Sequence, residues 1–134
     1  MMILRFLFSA AAFVAATYSL SAYSSPDKII PEPVEYSVSE GFHNLKGDSS
    51  DIKVYLSDAE FASKIKDLPS FAQEEAYRLV VGRKGVRIYA KTEEGAFRAA
   101  QCLEMMRLID RDIQFCDIFD YPRFQHRGIM LDES

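Results

Sequence analysis

The chain has 134 residues, 16 basic and 20 acidic, for a net charge of −4 at neutral pH. Its basic residues are dispersed with no sustained basic run, so the clustered cationic surface that a nucleic-acid partner requires is not expected. A chain of this length has room for one modest core and none for a second independent domain.

Arg5 is the only charge before Asp27. Behind it runs the stretch Phe6–Ala16, FLFSAAAFVAA, followed by small and polar residues including Thr17, Ser19, Ser21, Ala22 and Ser24. A charged start, an apolar middle and a small-residue exit make a secretory signal peptide over 1–24, with cleavage expected after Ala22 or after Ser24. The run falls short of the roughly 20 apolar residues that a spanning helix needs. An uncleaved anchor is the alternative, but no stable membrane span is expected. The protein is expected to be exported, to a periplasm or to the outside of the cell.

Residues 26–33, PDKIIPEP, carry three prolines and read as an extended lead-in that Ile29 and Ile30 pin to a core. Val34–Val38 alternates weakly, and Gly41 is expected to turn the chain into Phe42 and Leu45. Ile52–Leu56 alternates with β-branched residues and reads as a strand. Ser57 or Asp58 can cap a helix from Ala59 to about Lys66, with Phe61, Ile65 and Leu68 inward and Pro69 ending it.

The middle carries the clearest local pattern. EAYRLVVG, Glu75–Gly82, and VRIYA, Val86–Ala90, alternate with a period of two around the glycine-bounded turn GRKG, which is a β-hairpin. Leu79 and Val81 share one face with Val86 and Ile88. The other face carries Arg78, Val80, Arg87 and Tyr89, a mixed surface open to a partner. Thr92 can cap a long helix with Glu93 and Glu94 in its first turn. Ala96, Ala99, Cys102, Leu103, Met106 and Ile109 recur every three or four residues and form its inner stripe. Ile113–Phe115 reads as a short edge or return strand. Cys102 and Cys116 are the only cysteines. They form either one disulfide in an exported chain or two buried free thiols.

The fold expected is therefore α+β over 26–116, a small sheet with helices on one face. Residues 117–134 follow as a linker and a last apolar strand, Gly128–Leu131, ending in Asp132-Glu133-Ser134. That strand either joins the local sheet or opens an α/β barrel, where functional groups follow the strand ends.

Three segments resemble the start of the family 20 glycoside hydrolases, the β-N-acetylhexosaminidases. The first is Ile30-Pro31-Glu32-Pro33 with Gly41-Phe42. The second runs from Glu75 to Met106 and matches at Tyr77, Leu79, Gly95, Phe97, Gln101 and Leu103. The third, IFDYPRFQHRGIMLDES, is similar to the family's lead into its catalytic barrel at Asp120, Pro122, Arg123, Phe124, Arg127, Gly128, Leu131, Asp132 and Ser134. Cys102 stands where threonine is usual, and Ile52–Tyr77 is shorter than the family's accessory domain often is.

The resemblance implies an N-terminal accessory domain followed by the first strand of a (β/α)8 barrel whose remainder, with the catalytic Asp-Glu pair, is absent. It implies retaining hydrolysis of terminal N-acetylhexosamine through the substrate's own acetamido oxygen, with glycans bound by the missing barrel and the accessory domain packed on it. No residue here takes a catalytic role, and this chain alone is expected to be inactive. Arg127 is the residue the resemblance places against sugar hydroxyls, a task suited to a guanidinium fork. Asp132 would support the barrel mouth, and Tyr121 and Arg123 would tie the linker to the barrel. No metal or cofactor is expected, since His43 and His126 do not supply a zinc motif. A stand-alone non-catalytic binding or interaction domain is the alternative from another class.

Overall fold

The structure is a computed structural model that describes residues 23–45 and 51–128. The expected signal segment through Ala22, the apolar strand beyond Gly128, and Asp132 lie outside the described residues.

The elements in chain order are β1 (Glu35–Asn44), β2 (Ile52–Leu56), α1 (Ala59–Ile65), α2 (Ser70–Glu75), β3 (Tyr77–Gly82), β4 (Gly85–Ala90), α3 (Glu93–Ile109) and β5 (Asp112–Asp120). The five strands form one sheet in the order β1-β5-β3-β4-β2. All neighbours are antiparallel except β2 with β4. The fold class is α+β, as the patterning predicts.

The hairpin and the long helix form where expected. Gly82 pairs with Gly85 across the turn, and Thr92 Oγ1 accepts the Gly95 N–H at 3.2 Å, capping α3. Ala99, Cys102, Leu103 and Met106 of α3 close on Leu79, Val81, Val86 and Ile88 of the hairpin and on Ile113, Cys116 and Ile118 of β5. Each of the leucine, isoleucine, valine and methionine side chains among them contributes about 1.5–3 kcal/mol by leaving water. Cys102 and Cys116 are free, buried thiols within this core. Ile109, expected on the inner stripe, is the last residue of α3 and is 45% exposed.

Several elements differ from the sequence reading. β1 is one ten-residue strand, and Gly41 does not turn it. Its φ of +118° sits where the register with β5 shifts between Val38 and Phe42, an irregularity that keeps the strand running. α1 already ends at Ile65, and Pro69, expected to end it, instead precedes a second helix, α2, so β3 begins at Tyr77 and Glu75 closes α2. β5 is not a short edge. It is nine residues long, lies between β1 and β3, and runs through the boundary expected at 116/117 to Asp120.

The lead-in joins the sheet before residue 26. Ser24 donates its N–H to the Asp112 carbonyl and accepts from Gln114 N–H, both at 2.9 Å. A cut after Ala22 keeps this bridge, and a cut after Ser24 removes it. Ile29 is buried and Ile30 is exposed.

The long helix covers one face of the sheet, and α1 adds a smaller cover on the other. Asp58 caps α1 by accepting the Phe61 N–H at 2.9 Å. Phe61 and Ile65 then pack with Ala76 and Phe119, the Phe61 and Phe119 rings meeting edge-on at 6.3 Å.

Candidate functional site

β3 starts at Tyr77 and β5 ends at Asp120, and the two residues face each other in register. At this corner the chain leaves the sheet for Tyr121-Pro122-Arg123-Phe124. The lead-in, through Pro31 and Glu32, arrives at the same corner. Together they surround a pocket of about 280 Å³ whose wall also includes Glu75, Arg98 and Arg127.

Asp120 ties the pocket's floor. It accepts the Val34 N–H at 3.2 Å and the Tyr77 hydroxyl at 3.4 Å. Burial pushes its carboxyl above the usual range. The N–H groups of Val34 and Tyr121, the Tyr77 hydroxyl and the charge of Arg123 pull the other way. Burial also raises the Tyr77 hydroxyl, with Cys102 and Asp120 adding to the effect, so the tyrosine stays a proton donor. Burial pushes the Cys102 thiol up to about 11 and Cys116 up to about 12. Burial thus disfavours the thiolate, the reactive form, at both cysteines.

The pocket's rim is ionic. Arg98 meets Glu75 at 3.2 Å and Glu94, one helical turn back, at 2.9 Å. Arg127 pairs with the same Glu75 oxygen. Glu75 therefore clamps two guanidinium groups, one from α3 and one from the chain beyond β5.

This places Arg127 on the rim with its side chain about half exposed, held to the α+β domain. Arg123 lines the same pocket, and the Tyr121 ring packs 5.7 Å from Phe119. Glu75, Arg98 and the carboxylate role of Asp120 were not singled out in the sequence. The Glu94–Arg98 spacing was a readable local signal. The Glu75–Arg127 pair joins residues 52 apart and has none.

Chemically the corner is a clasp. A general acid or base must reach a substrate, whereas Asp120 and Glu75 are engaged with the chain's own donors. The arrangement ties Arg127, beyond β5, back to Glu75 at the end of α2.

Comparison with known proteins bears on the fold and the family. The family model "Glycosyl hydrolase family 20, domain 2" matches residues 50–121, from just before β2 to the end of β5. A beta-hexosaminidase A from Caenorhabditis briggsae is 38% identical over 71 residues, covering 49% of this chain and 13% of that protein. A GH20 exo-β-N-acetylglucosaminidase from Vibrio harveyi, solved with N-acetylglucosamine, superposes with a TM-score of 0.54 at 20% identity, over 81% of this chain and 21% of that one. The chitobiase of Flavobacterium johnsoniae gives a TM-score of 0.50 at 20% identity, over 78% of this chain and 22% of that one. At these identities the two solved structures speak for the fold. The chain spans about a fifth of their length and less of the curated relative.

Proposed function

The chain belongs to glycosyl hydrolase family 20 through that family's domain 2, and on that premise we propose that it is the accessory domain of an exported β-N-acetylhexosaminidase. Such an enzyme would release terminal N-acetyl-D-hexosamine from glycans. The observation that carries this reading is the match of β2 through β5 to a domain defined within that family. The activity of the relatives lends it support, and so does the small share of each relative that the match covers.

In this reading the bond is cleaved by residues outside this chain, in a barrel against which the α+β domain packs. The clasp at Tyr77, Asp120 and Glu75 aims the chain toward that barrel. Arg127 would exchange Glu75 for sugar hydroxyls there, with Asp132 supporting the barrel mouth. The apolar segment before Ala22 would direct export.

The test is hydrolysis of a chromogenic N-acetyl-β-glucosaminide. The 134-residue chain alone is expected to give no turnover above a buffer blank, and a longer protein carrying the barrel is expected to cleave it. In the longer protein Arg127→Ala should cost about 1.5–3 kcal/mol in kcat/KM, the worth of a charge-assisted hydrogen bond. Turnover by the short chain, or an Arg127→Ala variant with unchanged kcat/KM, would contradict the proposal.

A further inference from the structure

Basic residues that are scattered in the sequence come together at the hairpin end of the sheet. Lys53 of β2 stands beside Arg87 of β4, because the two strands pair in parallel with these residues in register. Arg83 and Lys84 form the turn that closes β3 on β4. With Asp51 and Tyr55, these four cations line an open concavity of about 470 Å³. All four are exposed. The expectation of a surface without clustered cations therefore fails here, because a parallel pairing between residues more than thirty apart assembles the cluster.

Two features set this patch apart from an ordinary solvated face. First, its cations stand outside the ion pairs of the described residues. Among the described residues, ion pairs engage Lys64, Arg78, Arg98, Arg107 and Arg127, and none engages these four. The one carboxylate in the concavity, Asp51, points to His43 at 3.7 Å. This happens in a chain whose net charge is −4. Second, the patch runs into an aromatic step. Tyr55 is 41% exposed and stacks on Tyr89 with ring centroids 5.1 Å apart and planes 16° from parallel. Arg78 closes the far side of Tyr89 at 5.8 Å, so the step is braced from within the sheet.

We propose that the concavity formed by Lys53, Arg83, Lys84, Arg87 and Tyr55 is a binding site for an anionic saccharide, one whose sulfate or carboxylate groups meet the cations while a sugar ring lies against Tyr55. Guanidinium forks and ammonium groups bind sulfate and carboxylate oxygens by charge-assisted hydrogen bonds. The apolar C–H face of a pyranose ring suits the face of an aromatic side chain, and the tyrosine hydroxyl adds a polar handle. A long nucleic-acid polyanion fits less well, since beyond this patch it meets an acidic chain. The site opens along the edge strand β2 and the β3–β4 turn, and it shares no lining residue with the pocket at the Asp120 clasp. It needs only residues of this chain, so it stands or falls independently of the hydrolase reading.

The experiment is calorimetric titration of the 134-residue chain at low ionic strength. The probes are a sulfated hexasaccharide, the same hexasaccharide desulfated, and a single-stranded DNA oligonucleotide of equal charge. Saturable binding of the sulfated sugar is expected, weakening as salt is added, with the desulfated sugar and the oligonucleotide both weaker. The double substitution Arg83→Gln/Lys84→Gln on the exposed turn should reduce affinity about three- to tenfold, the sum expected of two exposed charge contacts. The charge-conserving Arg83→Lys/Lys84→Arg should restore it. Tyr55→Ala should weaken the sulfated sugar further without changing the salt dependence. Equal binding of the desulfated sugar, tighter binding of the oligonucleotide, or affinity unmoved by the glutamine pair would each overturn the proposal.

Discussion

The two faces of the sheet are built by different means. On one face the seventeen-residue α3 lays Ala99, Cys102, Leu103 and Met106 onto five strand residues that are at most 2% exposed, namely Leu79, Val81, Val86, Ile88 and Ile118. On the other face, α1 packs Phe61 and Ile65 against Phe119 and Ala76, with Tyr89 partly buried against the same cluster. From there a cross-strand row runs outward, in which Arg78, Tyr89 and Tyr55 stand in register on β3, β4 and β2. Arg78 is held by Asp117 at 2.7 Å and by Glu60 at 3.4 Å, and its pKa rises chiefly through the Asp117 bonds. The first face spends its residues on exclusion of water. The second keeps polar and aromatic groups at the surface, where a ligand can meet them. Stability and recognition have thus been assigned to opposite sides of one sheet.

Substitutions on the two faces should separate cleanly. Ile88→Ala removes a buried side chain under α3 and should cost about 2–5 kcal/mol in urea or thermal unfolding. A loss below 1 kcal/mol would mean that the helix does not seal this face.

Alkaline pH tests the same face without mutation. Burial holds Cys102 and Cys116 at about 11 and about 12, above the ordinary 9.0 that they regain on unfolding. The unfolded chain releases these protons first as pH rises. Their contribution is therefore intact below pH 9 and is lost from there up to about 12, at up to about 1.4 kcal/mol per pH unit for each thiol. The melting temperature should be level around neutrality and fall through that window. The slope should shrink in Cys102→Ala/Cys116→Ala. An equal slope in that variant would take the thiols out of the account.

The smallest effect belongs to the opposite face. Tyr55→Ala removes an exposed ring on an edge strand and should change stability by no more than about 0.5 kcal/mol. A loss comparable to that of Ile88→Ala would show the open face to be structural.

Legibility in the sequence followed the range of the interaction. The hairpin and α3 were readable because Gly82, Gly85 and Thr92 act within a few residues of themselves. Nothing local announced β5 as a central strand. Its partners Glu35 and Arg78 lie 84 and 41 residues from Phe119, and a strand flanked on both sides looks like a return strand until those partners are known. α2 was missed because SFAQEE buries only Ala72 and shows no stripe. The segment around Arg127 was readable by resemblance, but its ionic partner Glu75 was not. The cationic concavity was hidden for the same reason. Lys53 and Arg87 become neighbours only through the parallel β2–β4 pairing, and parallel pairing needs a crossover rather than a turn that the sequence would mark.

Amide hydrogen exchange of the chain in dilute solution tests the central division most directly. β3, the middle of β5, β4 and the inner turns of α3 are hydrogen-bonded on both sides or sealed by the core. The account predicts that they exchange slowest, near the rate set by global unfolding. β2 pairs with β4 along one edge only and past Ile52 its residues are exposed, so Lys53–Leu56 should exchange markedly faster. Residues 123–128, in which Arg127 with Glu75 is the one ion pair among the described residues, should be faster still. Protection at Val54 equal to that at Leu79 would contradict the account, because it would place the edge of the open face within the same sealed core.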